Sequence, residues 1–199
     1  MGDRNPFRLP HGVIPITDPD VIDDYQAVNA LFAAGCQLLH LRKPQWSDRQ
    51  LHQWCAEINP GYKRFLTLHG NQTLAAELGC GGSHGPTRTS LKRCQLRRSL
   101  SWHALDEPNN GVDYGFLSPI WPSTSKPGYG PSWSTAELSV ARQAWIGQVV
   151  ALGGITPERT SLAMQMGFDG VAVLGWLWTS FDGESVVKRW CELEAAWSG

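Results

Sequence analysis

Two groups of residues in this sequence have the chemistry to build a site. The first lies in the stretch 114–130, YGFLSPIWPSTSKPGYG, which starts apolar and breaks into a loop carrying Ser123, Thr124, Ser125 and Lys126. Pro127, Gly128 and Gly130 stop any regular element from continuing through it. Hydroxyls, free backbone N–H groups and a lysine together can hold a phosphate, and the glycine pair Gly153 and Gly154 in VVALGG can supply the other half of such a cradle. An inert surface turn has the same composition, so the position of the loop decides its meaning. The second group is His40 and Arg42, which alternate onto one face of an extended HLRK, together with His69, His84 and His103. A satisfied structural histidine is the simplest reading of each one singly. As a set they suit proton transfer near neutral pH. Neutral imidazoles at His40, His69 and His84 would also suit Zn²⁺ or Ni²⁺, although their spacing follows no metal motif.

The elements that must position these residues alternate between strand and helix. Strand patterns cover 12–17, 37–43, 64–69, 81–84, 98–102, 112–117, 148–152 and 170–174. Helical patterns cover 20–34, 47–58, 73–78, 135–145, 157–166 and 184–197, while 87–96 is weak in pattern. Gly35 stops the first helix, Ser47 caps the second and Pro157 opens the fifth. The strands are near-continuous apolar runs, as expected for a parallel sheet buried on both faces. Eight of them in 199 residues predict an α/β chain folded as a single-domain (β/α)8 TIM barrel spanning 12–199, with 1–11 as an N-terminal extension. A doubly wound open sheet is the alternative and would have fewer strands.

In a barrel the active residues sit at the carboxyl ends of the strands. Reading those ends in order gives Thr17 and Asp18; His40, Arg42 and Lys43; His69; Ser83 and His84; Ser101 and His103; the loop 123–126; Gly153 and Gly154; and Gly175. The mouth therefore has an imidazole half with Arg42, from strands two to five, and a glycine and hydroxyl half with Lys126, from strands six to eight. Asp18 is the main carboxylate, which argues against a Mg²⁺ site of hard oxygen ligands.

Composition excludes several classes. The net charge of −1 creates no field that would draw nucleic acid or a membrane surface. No apolar run reaches the roughly 18 residues of a transmembrane helix, and the N-terminus lacks the apolar core of a signal peptide. Five scattered cysteines fit free thiols and a cytoplasmic location. No GxGxxG or GxxxxGK[ST] run is present, so no nucleotide phosphate loop is indicated. Ten tryptophans, several in helical patterns (Trp54, Trp145, Trp190, Trp197), suit core or subunit packing and allow a homodimer.

The motifs HLRK, HG at strand four, SWHALDE, SPIWPSTSK, VVALGGITPE and GFDGVAVLG fall in an order that resembles the thiamine phosphate synthase family, which includes the related thiazole tautomerases. The resemblance runs from about residue 12 to the end and is most specific at strands six to eight. It implies a single (β/α)8 barrel. It implies either of two activities: a Mg²⁺-dependent condensation of a pyrimidine diphosphate with a thiazole phosphate, or a metal-free isomerisation of the thiazole phosphate carboxylate. It implies that Gly153, Gly154 and Gly175, and more loosely Leu174, meet the thiazole phosphate. Ser123, Ser125 and Lys126 match the family's phosphate-contacting threonine–x–threonine–lysine element. His103 matches the histidine that is the natural general acid/base of the tautomerase, with His40 or His84 sharing the task. The diphosphate half departs from the pattern. Of the strand-two glutamine–x–arginine–x–lysine motif only Arg42 remains, with His40 and Pro44 at the other places. The strand-three asparagine–aspartate pair is His69–Gly70, and Gly81 stands where strand four has an acid. Both Mg²⁺ carboxylates are thus missing. The resemblance therefore implies a thiamine-biosynthesis enzyme that acts on a thiazole phosphate by isomerisation, with no metal and no cofactor. Arg42 and His69 would be substrate-binding. The alternative is the Mg²⁺-dependent synthase.

Overall fold

The computed structural model describes residues 7–10, 12–85, 95–105, 111–122 and 133–199. Its eight strands are β1 Val13–Pro15, β2 Leu39–Leu41, β3 Leu66–His69, β4 Gly82–Gly85, β5 Arg97–Trp102, β6 Tyr114–Leu117, β7 Gln148–Leu152 and β8 Gly170–Val173. All neighbouring pairs are parallel, in the order β1-β8-β7-β6-β5-β4-β3-β2. A parallel bridge between Ile16 and His40 and a 2.9 Å bond from the Thr17 N–H to the His40 carbonyl join β1 to β2 and close the ring. The single-domain (β/α)8 barrel expected from the alternating pattern is the observed fold.

Strand alternation divides the apolar residues into two cores. Outward residues such as Leu39, Leu41, Leu66, Leu68 and Val149 pack against the helices. Inward residues, among them Ile14, Ile16, Tyr114, Phe116, Val150 and Ala172, fill the barrel. The amino-terminal end of the barrel is stoppered by Phe7 and Leu9. The Gln148 side chain holds this segment, accepting from the Leu9 N–H at 2.8 Å and donating to the Phe7 carbonyl at 2.6 Å.

The outer layer is α1 Tyr25–Ala33, α2 Asp48–Ala56, α3 Gln72–Glu77, α4 Thr135–Ala144, α5 Pro157–Gln165 and α6 Gly183–Ser198. Ser47 with Gln50 and Ser134 with Glu137 form capping boxes at α2 and α4. Two boundaries differ from the sequence pattern. The first helix begins at Tyr25, not at 20, because residues 20–24 are recruited by a buried lysine. The Lys43 ammonium donates to the carbonyls of Asp18 and Val21 and to Asp24 Oδ2 at 2.7 Å, while Trp54 Nε1 donates to Asp24 Oδ1 at 2.8 Å. The third strand begins at Leu66, because Asn59 and Pro60 start a 3₁₀ turn, Pro60–Phe65, whose aromatic rings pack on Phe32. Most of 87–96 lies outside the described residues. Among the described residues no helix is long and apolar enough to cross a membrane, and Cys36, Cys55, Cys80 and Cys191 are free thiols.

The Lys43–Asp24 pair is fully buried on both sides. Burial pushes the Asp24 carboxyl above its ordinary range, opposed by the Lys43 charge and by the Lys43 and Trp54 hydrogen bonds. Removing one partner of such a pair leaves an uncompensated buried charge. Lys43→Met is therefore expected to lower the unfolding free energy by about 3–5 kcal/mol in chemical denaturation, and Lys43→Met with Asp24→Leu to recover most of that loss.

Candidate active site

At the carboxyl ends of the strands the barrel opens into a cavity of about 550 Å³. One wall comes from β2 to β5 and carries Arg42, His69, His84 and Ser101; the facing wall, from β7, β8 and their loops, carries Gly153, Gly154, Gly175 and Trp176. The loop after β1 contributes Asp18 and Asp20, and Phe116 forms the floor with Ile16 and Ala172. Of the two halves expected at the mouth, Arg42, His69 and His84 of one and the glycines of the other line this cavity.

Register explains the depth of each histidine. His40 pairs with Thr67, and His69 with His84. His69 and His84 thus share a layer at the strand ends, while His40 lies one layer deeper with no exposure. His40 donates or accepts at both nitrogens, with Nδ1 2.8 Å from His69 Nε2 and Nε2 2.6 Å from the Tyr114 hydroxyl. His84 Nδ1 is 2.9 Å from Ser99 Oγ and its Nε2 is 3.1 Å from Ser101 Oγ. The His69 and His84 rings stack with centroids 4.2 Å apart, and His84 stacks in turn on Phe116 at 5.2 Å.

These surroundings keep all three imidazoles neutral at physiological pH. Burial holds His40 well below its ordinary range, reinforced by His69, His84 and Arg97. Burial does the same to His69, with His84 and Arg42 adding to it. Burial and Arg42 bring His84 down to about 4. Arg42 borders the cavity as a cation that pairs with no carboxylate among the described residues. Its backbone is fixed by Thr17, whose Oγ1 accepts from the Arg42 N–H at 2.8 Å and donates to the Arg42 carbonyl at 3.3 Å. Lys43, next in the chain, faces the other way into its buried pair.

The remaining expected residues separate. His103 is exposed at the rim, its Nδ1 3.0 Å from the carbonyl of Ser118, which itself lines the cavity. Gly153 and Gly154 adopt φ values of +103° and +64° and pass close beneath the β6 loop, where a Cβ on Gly154 would stand 2.4 Å from the Pro122 carbonyl oxygen. Ser123, Ser125 and Lys126 lie outside the described residues. Sequence reading missed Asp20, Trp176 and the Tyr114 hydroxyl. Trp176 follows the β8 glycine directly, so its place in the chain was a usable signal, whereas Tyr114 reads as an ordinary apolar strand residue.

Two metal readings can be tested on these donors. Mg²⁺ requires hard oxygen ligands, and the ends of β3 and β4 offer imidazoles and glycine instead, so this donor set does not fit it. One nitrogen from each of His40, His69 and His84 lies within 4.8 Å of the others. Five of their six ring nitrogens already take part in the hydrogen bonds above, and ligation at about 2.0–2.1 Å would have to break the His40–His69 bond.

The family model described as thiamine monophosphate synthase matches residues 13–177. The chain belongs to this family. The thiamine-phosphate synthase of Methylobacillus flagellatus is 28% identical over 92% of this chain and 94% of that protein. That of Nitrosococcus oceani is 29% identical over 94% of each. The crystal structure of thiamine phosphate pyrophosphorylase from Bacteroides thetaiotaomicron superposes with a TM-score of 0.79, at 27% identity, over 92% of this chain and 96% of that one.

The depressed histidines set an acid limit on stability. The unfolded chain takes up a proton on His84 near pH 6.5, whereas the folded chain does so only near 4. Below 6.5 the unfolded state therefore binds more protons, and stability falls as the pH drops from 6.5 toward 4. Glu194, raised by burial to about 7, opposes this over part of the window. The difference between wild type and His84→Gln isolates the histidine. It is expected to amount to roughly 3 kcal/mol less acid destabilisation in the variant between pH 7 and 4, read from denaturation midpoints.

Proposed function

We propose that this member of the family isomerises a thiazole phosphate by moving a proton from one position of the bound heterocycle to another, without Mg²⁺. The observation that carries the reading is the imidazole pair His69 and His84 lining the cavity at the ends of β3 and β4, with Gly70 and Gly81 at the positions where the resemblance places the carboxylates of the Mg²⁺-dependent reaction. A neutral imidazole is suited to taking and returning a proton near pH 7. The phosphate would lie against Gly153, Gly154 and Gly175, and the resemblance adds Ser123, Ser125 and Lys126 as further contacts to it. Arg42, which pairs with no carboxylate among the described residues and borders the opposite wall, suits a second anionic group such as a carboxylate. His103 at the rim would serve as one proton carrier.

Condensation of a pyrimidine diphosphate with the thiazole phosphate is the second reading. It is favoured by the relatives named thiamine-phosphate synthase, which align along almost their full length. Both reactions can be assayed on one preparation, each with Mg²⁺ and with EDTA. The expected result is isomerisation that persists in EDTA and no condensation in either condition. Condensation that needs Mg²⁺ and vanishes in EDTA would establish the second reading instead.

The phosphate wall has its own test. Gly154→Ala places a methyl group against the Pro122 carbonyl at a φ of +64° and must displace the turn. It is expected to raise KM for the phosphorylated substrate by roughly tenfold or more, the size of one hydrogen bond to a charged group, while the dephosphorylated thiazole is turned over equally poorly by both proteins.

A further inference from the structure

An isomerisation needs a group that removes the proton as well as one that returns it, and the cavity wall holds a candidate coupled to the barrel interior. His69 spends its Nε2 on His40, and His40 spends its other nitrogen on Tyr114. His69 Nδ1 is the nitrogen of this chain left to the cavity that His69 lines. We propose that His69 Nδ1 is a base in this site, and that Tyr114, acting through His40, is the positioning residue that keeps it unprotonated.

The argument rests on the fact that a neutral imidazole carries one N–H. The chain Tyr114–His40–His69 therefore has two settings. In one, the Tyr114 O–H donates to His40 Nε2, His40 Nδ1–H donates to His69 Nε2, and the His69 proton is forced onto Nδ1. In the other, His69 Nε2–H donates to His40 Nδ1, His40 Nε2–H donates to the Tyr114 oxygen, and His69 Nδ1 keeps a lone pair. Two features favour the second. Thr67 stands beside the Tyr114 hydroxyl and its own buried hydroxyl has no partner among the described residues, so a small rotation makes it an acceptor for the Tyr114 proton and frees the Tyr114 oxygen to accept from His40, while Ser99 Oγ is already bonded to His84. Arg42 borders the same cavity and its positive charge acts on His69, which favours a lone pair over an N–H on the nitrogen left to that cavity. Burial prevents the middle of the chain from escaping by taking up a second proton: His40 is wholly enclosed.

The step is balanced within the site. A C–H bond of the heterocycle breaks, its electron pair enters the conjugated ring, and the proton forms an N–H at His69 Nδ1. The imidazolium so formed is steadied by its Nε2–H bond to His40, as a base is held by a third group in other acid–base sites. The same N–H breaks when the proton is returned to another ring position, so no charge is left behind.

The chemistry rests on the isomerisation reading, but the tautomer does not, and the experiment separates them. Two-bond ¹⁵N–¹H correlation spectra of the whole protein without substrate are expected to show His69 protonated at Nε2 and bare at Nδ1. Tyr114→Phe removes the acceptor for His40 Nε2–H, reverses the chain, and is expected to move the His69 proton to Nδ1. With the thiazole phosphate, the same variant is expected to lose at least about tenfold in kcat, a part of what a positioned base contributes, with KM changed less than twofold. A wild-type His69 protonated at Nδ1 overturns the proposal, and this needs no variant to fold. So does a folded Tyr114→Phe whose His69 tautomer is unchanged, or one whose tautomer reverses while kcat stays at the wild-type value. If wild type isomerises no thiazole, the base assignment falls with that reading, and the spectra still decide whether Tyr114 sets the tautomer.

Discussion

The closure of the ring between β1 and β2 is the contact on which the rest of the structure depends. Every other neighbouring pair of strands shares a ladder of partners, whereas this seam has one bridge, Ile16 to His40, and one further bond at Thr17. Side chains make up the difference. The Thr17 hydroxyl ties both polar groups of the Arg42 backbone, and the Lys43 ammonium ties the loop after β1 and the start of α1. Four consecutive residues at the end of β2 and just beyond it thus have four directions: His40 into the barrel, Leu41 into the outer core, Arg42 into the cavity and Lys43 into a buried ion pair. A slip of one residue would exchange these roles, so the fully buried pair fixes register as much as stability.

The interior has two characters for the same reason. From β6 round to β1 it is filled by Phe116, Val150, Ala172, Ile14 and Ile16, while β2 to β5 contribute His40, Thr67, His84 and Ser99. The histidines bond in two chains, His40 to His69 and Tyr114, and His84 to Ser99 and Ser101 of β5, whereas the buried Thr67 and Ser83 hydroxyls have no partner among the described residues. Neutrality is the condition for that arrangement. A proton on any of the three imidazoles would add a charge to an interior that already feels Arg42 at its upper edge.

Much of this was legible in the sequence. The period of the strands gave the barrel, and the order of polar residues at their carboxyl ends gave the histidines, Arg42 and the glycine pair. Depth was not legible. His40 and Arg42 share a face in any extended chain, but only the register against β3 puts one beneath the cavity and the other beside it. The Tyr114 hydroxyl could not be paired with His40, because the two are 74 residues apart and meet only when the ring closes. The start of α1 was misread because Asp20 to Asp24 look like a helix's acidic first turn, whereas Asp24 is spent on Lys43 and Trp54 rather than on a cap. Strand β4, GSHG, carries almost no apolar signal. It is a strand because a Cβ at Gly81 or Gly82 would collide with the Arg64 carbonyl or the Thr67 hydroxyl of the chain alongside, so close approach rather than hydrophobic pattern determines it.

The shape of the histidine wall bears on what can rest against it. His69 stacks on His84 at an interplanar angle of 23°, and His84 on Phe116 at 27°. Three flat rings in near-parallel succession, with Trp176 across the cavity, present faces rather than charged oxygens. A diphosphate bound through a divalent cation gains nothing from such a surface, because its charge needs hard ligands and compensating cations. A planar heterocycle gains from offset stacking and from the exclusion of water around it. Its charged ends then fall to the two places where the walls are polar, the glycine turns after β7 and β8 and the Arg42 guanidinium above β2. The stacked rings of His69, His84 and Phe116 therefore give this wall the character of a surface for a flat ring rather than for a metal-bound anion.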